Sequence, residues 1–181
     1  DLAGLAEIPC IIRQLTDEEA TIIMVDSNLQ REQILPSEKA FAYKMKLDAM
    51  KRQGQRTDLT SDPVGWKLSG KESASIVGKE GGDSQTQVRR YIRLTNLIPE
   101  ILELVDNSVL KDPEMLQIAL RPAVELSYLR KEEQADLFSI MDEMDCTPSH
   151  AQAIKMRQMS EAKTGEERLS KDAMTVIMEE E

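Results

Sequence analysis

Ser84, Gln85, Thr86, Gln87, Arg89, Arg90 and Arg93 crowd into one short stretch of this chain. Glutamine amides and arginine guanidiniums are the groups that match base edges: an arginine fork fits guanine and a glutamine amide fits adenine in the major groove. Ser84 suits an N-cap, so a helix opens after it. Val88, Tyr91 and Ile92 then share one face, which leaves Gln85, Thr86, Arg89, Arg90 and Arg93 pointing outward. Such a helix needs a partner to fix its angle. Ser73 caps a short helix upstream, and Gly81-Gly82-Asp83 breaks it, with Gly82 suited to a positive φ. Gly78 lies where two steeply crossing helices need a small side chain. The layout over residues 73–94 is a helix-turn-helix. Gly81 departs from the apolar residue usual at its place. The plain alternative is two packed helices with a solvated basic face.

Charge distribution alone does not separate the two, but together with the turn and the polarity split it favours the first. The 181 residues carry a net charge of −10, which alone argues against nucleic acid. Residues 1–38 hold two arginines against eight acids, net −6, and residues 94–181 are net −10. Between them, residues 39–93 hold twelve lysines or arginines against six acids, net +6. A basic middle between acidic flanks is the footprint of a segment that approaches phosphates. The basic helix over 37–53 would supply phosphate contacts.

Other chemistries find little support. No apolar run approaches the roughly 18 residues of a membrane helix, and Asp1-Leu-Ala-Gly has no basic n-region of a signal peptide. Charged residues are 31% and aromatics 3%, which suits a helical, soluble, cytoplasmic chain with an aliphatic and Met-based core. Cys10 and Cys146 make no disulfide framework and read as buried structural thiols. One histidine, His150, reads as solvent-facing or capping, and no zinc site can be argued.

The elements around the basic stretch are expected to be helices. Ile8–Ile12 reads as a short buried strand, so the chain is expected to begin partway through an α/β domain. Thr16 with Glu19 makes a capping box, opening a helix with Ala20, Ile23 and Met24 as its apolar stripe, giving out near Asn28. A second helix starts at Pro36-Ser37, turns Phe41, Met45, Leu47 and Met50 inward and Lys44, Lys46, Lys51 and Arg52 outward, and stops at Gly54. Residues 54–72 read as a loop packed down by Trp66. Beyond Ser73 come short helices, with Pro99, Pro113 and Pro148 in first turns and Ser170 as an N-cap. Apolar stripes recur at Ala123, Leu126 and Leu129; at Leu137, Ile140, Met141 and Met144; and at Ala153, Ile154 and Met156.

Several segments, in order, resemble the ParB/RepB family of partition proteins. Gly82 to Leu94 resembles its recognition helix, and Leu97 to Val105 the segment after it. Glu7-Ile-Pro-Cys-Ile-Ile-Arg13, Asp17-Glu-Glu-Ala20 and Ser27-Asn-Leu-Gln-Arg-Glu32 resemble its strand, helix and E-N-x-Q-R signature. The resemblance covers most of the chain, weakens after about Glu133, and looks closest to proteins of mobile elements. It implies a mainly α fold. A remnant strand and helix of an α/β N-terminal nucleotide-binding domain would occupy residues 1–33, and a helical DNA-binding domain residues 34–181.

The same resemblance implies a nucleoid-associated protein for chromosome or plasmid partition that binds a palindromic centromere-like site. It further implies CTP and magnesium at an N-terminal gate, a C-terminal homodimer contact and a Walker-type ParA ATPase as partner. Asn28, Gln30 and Arg31 match the nucleotide motif, but Ser27 stands where the family has Glu, and magnesium prefers carboxylate oxygen. The family's arginine-rich phosphate motif would precede Asp1, and its dimerisation domain is not evident before Glu181. The chain itself is therefore expected not to turn over CTP. A CTP-dependent clamp or hydrolase switch is one alternative function, and a helical transcription-regulator or interaction module is another.

Overall fold

The computed structural model describes residues 10–31, 33–57, 82–110, 115–165 and 167–180. Among these every regular element is a helix. They are α1 (Asp17–Leu29), α2 (Pro36–Thr57), α3 (Gln85–Leu94), α4 (Pro99–Leu110), α5 (Leu120–Leu126), α6 (Lys131–Met144), α7 (His150–Glu161) and α8 (Lys171–Glu179). The mainly α expectation holds for this part of the chain. The first helix of the expected helix-turn-helix, Trp66 and Pro113 lie outside the described residues.

Local sequence sets the helix starts. Thr16 Oγ1 accepts the Glu19 N–H at 3.2 Å and Glu19 returns the bond to the Thr16 N–H at 2.9 Å, the expected capping box of α1. Pro99 is the first residue of α4, and Ser170 caps α8. At α7 the cap is Ser149, with Pro148 outside the helix and His150 its first residue. Pro148 therefore sits just ahead of the first turn rather than in it.

From α4 onward the chain closes around one apolar cluster. Leu97, Ile101 and Val105 meet Ala123, Leu126 and Leu129, then Leu137, Ile140 and Met141, then Ala153 and Met156, and finally Met174 and Ile177. The three expected stripes supply most of its centre, although Met144 is only half-buried against it and Ile154 is half-buried outside it, and each fully buried Leu or Met contributes on the order of 1.5–3 kcal/mol. One acid sits inside it: fully buried Glu133 accepts the Arg130 N–H at 2.9 Å, the Ser160 hydroxyl at 2.7 Å and the Leu169 N–H at 2.7 Å. Three donors offset its loss of water.

The N-terminal helices differ from expectation. Cys10, Ile11 and Ile12 are exposed and in no strand, and Ile11 and Ile12 are 82% and 91% accessible, so no buried strand runs through them; Ile8 and Pro9 lie outside the described residues. Cys10 is accordingly an exposed thiol, and Cys146 is half-buried against the main cluster. Helix α1 packs on α2 through Val25, while Ala20, Ile23 and Met24 are exposed. Helix α2 continues past Gly54 to Thr57. A single interior glycine costs only about 1 kcal/mol against alanine, and its neighbours Arg52, Gln53, Gln55 and Arg56 are good helix formers.

The buried side of α2 is Pro36, Ala40, Tyr43, Lys46 and Ala49, not Phe41 and Met45, which face out. Two apolar stripes at helical spacing competed, and the narrower one won because α1, α3 and α4 crowd against it. Lys46, expected outside, is fully buried with its ammonium on Asp26 of α1. The ion pair keeps its charge satisfied where its stem is packed.

Candidate nucleic-acid interface

Helix α3 begins as its sequence dictates. Ser84 is extended, and its hydroxyl accepts the Gln87 N–H at 3.2 Å. Gly82 has φ +72°, the left-handed turn that glycine takes without strain. Val88 and Leu94 are fully buried, and Tyr91 and Ile92 half-buried, so the inward face is the expected one.

Two locks hold the helix. At its start, Asp83 accepts the Tyr43 hydroxyl at 2.5 Å and pairs with Lys39 at 2.6 Å. The Lys39 ammonium also lies 5.0 Å from the centroid of the Tyr91 ring, which contacts Tyr43 at 6.1 Å. This joins α2 to the turn before α3. Burial, then the bond to the Asp83 carboxylate, pushes the Tyr43 phenol far above its ordinary pKa. At the other end, the Arg93 Nε–H and Nη2–H groups donate to the Ser127 hydroxyl and carbonyl, both at 3.0 Å, and its guanidinium stacks 3.7 Å from the centroid of Tyr128. Arg93 was expected to point outward with the other arginines. The structure turns it toward the end of α5, because Ser127 and Tyr128 offer acceptors and an aromatic face there.

The remaining candidates divide by direction. Ser84, Thr86 and Arg89 are exposed, and Gln85, Gln87 and Arg90 half-exposed. Arg89 lines a groove of about 320 Å³ with Lys44, Arg93, Thr95 and Asn96. Arg90, one position on and so turned by about 100°, lines a second groove of about 280 Å³ with Arg121, Glu125 and His150. Helix α3 thus carries an outer edge of amide, hydroxyl and guanidinium groups with a cationic groove on each side. Sequence reading missed Arg121 and assigned His150 only solvent or a cap, since both come from helices distant in the chain. Glu125 tempers the second groove: it pairs with Arg157 at 3.0 Å and lies 3.9 Å from the His150 Nε2.

The expected nucleotide residues do not assemble in the same way. Asn28, Arg31 and Glu38 line a groove of about 390 Å³ between α1 and α2, but its other walls include Met24, Leu29, Ile34, Phe41 and Met45. Gln30 does not line it. Ser27 donates its hydroxyl to the Ile23 carbonyl at 2.9 Å. One guanidinium, one amide and one carboxylate among mostly apolar walls are too few polar groups to hold a triphosphate with its metal, and no group of three or more metal-ligating side chains occurs among the described residues. No helix among them is long and apolar enough to cross a membrane.

A nucleoid occlusion protein of Listeria innocua is 35% identical over 130 residues, which is 72% of this chain and 36% of the relative. A probable chromosome-partitioning protein ParB of Coxiella burnetii is 32% identical over 105 residues, 58% of this chain and 29% of the relative. The chain belongs to the ParB family. A nucleoid occlusion protein of Geobacillus thermodenitrificans extends the similarity to 163 residues at 27% identity, 88% of the ParB-family chain described here. The chain spans between 29% and 48% of the length of these three relatives. No family model matches the sequence.

Proposed function

We propose that this chain binds duplex DNA in a sequence-specific way, with α3 entering the major groove as the second helix of a helix-turn-helix. The observation that carries the reading is the outer edge of α3 with a cationic groove on either side. Phosphate ribbons border the major groove on both sides, so a helix seated in it needs cations on both sides too. On this reading Gln85, Thr86, Gln87 and Arg89 face base edges, and Ser84 sits at the phosphate-facing start of the helix. Lys44 meets one strand's phosphates, and Arg90, Arg121 and His150 meet the other's. Arg93 holds the helix in place.

The family gives this activity its setting: a partition or nucleoid-occlusion protein, associated with the nucleoid, acting as a homodimer on a palindromic site with a ParA-type ATPase as partner. Support for the partition or nucleoid-occlusion part of that setting comes from relatives named for chromosome partitioning and nucleoid occlusion. The acidic flanks fit a protein that confines its DNA contact to one face.

Selection of bound sequences from random duplex DNA tests the reading. A recovered consensus, with affinity falling steeply between about 50 and 200 mM salt, is the expected result. Recovery of random sequence would leave a helical interaction module as the better account.

A further inference from the structure

Tyr128, just beyond the end of α5, is 40% accessible and carries two guanidinium groups on its ring. Arg93 from α3 lies 3.7 Å from the ring centroid, and Arg157 from α7 lies 3.8 Å from it. Two like charges on one small ring repel, so each must be held from elsewhere. Arg93 is fixed by Ser127, and Arg157 donates to Glu125 at 3.0 Å and to Glu161 at 2.7 Å. The phenol ring is thus a joint between α3 and α7, and the quadrupole of its π face supplies the attraction.

The joint bears on the DNA-facing edge through helical spacing. Arg93 lies four positions from Arg89 and three from Arg90, so it neighbours both on α3. Holding Arg93 down on Ser127 and Tyr128 therefore fixes the rotation of α3 that sets Arg89 in one groove and Arg90 in the other. The groups that would touch DNA lie at the exposed end of a short helix, where a small rotation moves each of them out of register. Contacts that read bases need a supporting layer that fixes their angle.

We infer that Tyr128 is a positioning residue for α3, its ring clamping Arg93 against Arg157 so that the helix is held at the angle at which its outer edge discriminates one DNA sequence from another. The inference rests on the duplex-DNA reading above. It separates two quantities that a loss of fold would move together: affinity for the selected site, which depends on the angle of α3, and affinity for any duplex, which depends on the count of cations.

The test uses the full chain with Tyr128→Ala, Tyr128→Phe and Arg157→Leu. Each variant is titrated against the selected duplex and against a scrambled duplex of the same length. Amide hydrogen exchange of α3 and α4 is followed without DNA. Tyr128→Phe, which keeps the π face, should match wild type within twofold. Tyr128→Ala should lose tenfold or more on the selected duplex while staying within twofold on the scrambled one. Its α3 amides should exchange at least tenfold faster, with α4 unchanged. Arg157→Leu should show the same pattern more weakly, and it decides the matter if Tyr128→Ala does not fold. An unchanged selected-to-scrambled ratio in both Tyr128→Ala and Arg157→Leu, or a loss in Tyr128→Phe equal to that in Tyr128→Ala, would overturn the inference. Wild type showing no preference for any duplex would instead sink the DNA reading. The exchange data would then judge the clamp alone: faster exchange in α3 supports it and unchanged exchange overturns it.

Discussion

The helices from α4 to α8 and the pair α1 and α2 hold α3 by different means. Leu94 at the end of α3 enters the large apolar cluster with Ile101, Leu126 and Leu137, whereas Val88 near its start meets only a small cluster centred on Tyr43. Polar links make up the difference at the start: Tyr43 and Lys39 of α2 hold Asp83, and Lys46 on Asp26 ties α2 in turn to α1. Burial of apolar surface is indifferent to pH and only mildly sensitive to salt, but hydrogen bonds and ion pairs respond to both. The C-terminal region is therefore mainly an apolar base, with the Arg93 link to Ser127 and Tyr128 as its polar part, and the N-terminal attachment is the part of α3's support that depends most on polar links.

Removing apolar volume from the base should have the largest effect. Leu137→Ala in the main cluster is expected to cost about 2–5 kcal/mol of unfolding free energy, read by denaturant melting followed by helical circular dichroism. A loss below about 1 kcal/mol would mean that the cluster is not the base described.

The polar attachment ranks next. Asp83→Ala leaves the Tyr43 hydroxyl buried without its acceptor and Lys39 without its carboxylate, and should cost about 1–3 kcal/mol. Tyr43→Phe in the Asp83→Ala background should recover part of that loss, because it removes the stranded group. Ser84→Ala removes the N-cap bond to Gln87 and should cost about 1 kcal/mol, with melting as the readout.

The smallest effect is alkaline. Tyr43 is one of three tyrosines and its phenol is held far above the ordinary value of about 10. Below that pH both folded and unfolded chains keep the proton, so the Asp83 bond contributes in full. Above it the unfolded phenol ionises while the folded one does not, and stability falls with rising pH by up to one proton's worth of slope. Absorbance near 295 nm should show one phenol that ionises only on unfolding. Tyr43→Phe should flatten the decline.

What could be read from sequence follows the same division. Ser84 to Leu94 was legible because a cap, a turn glycine and an apolar face fall within one short window. The stripes at Leu126, Leu137 and Met156 were legible because each helix there has only one strongly apolar side. Helix α2 was misread: it carries two stripes, and which one is buried depends on α1, α3 and α4 rather than on its own periodicity. Lys46 was placed outside because its type says solvent, and only Asp26 on a neighbouring helix makes its burial tolerable. Arg93 was grouped with Arg89 and Arg90 by type, but Ser127 and Tyr128, remote in sequence, decide its direction. The same remoteness hid Arg121 and His150.

The central claim is that the outer edge of α3, and not basic charge in general, reads DNA. It is tested most directly by titrating the Arg89→Ala/Arg90→Ala double variant against the duplex selected by wild type and against a scrambled one. A side chain that reads a base is worth about 1–3 kcal/mol, so the double variant should lose at least tenfold on the selected duplex and a smaller factor on the scrambled one. Binding of the selected duplex as tightly as wild type would contradict the account.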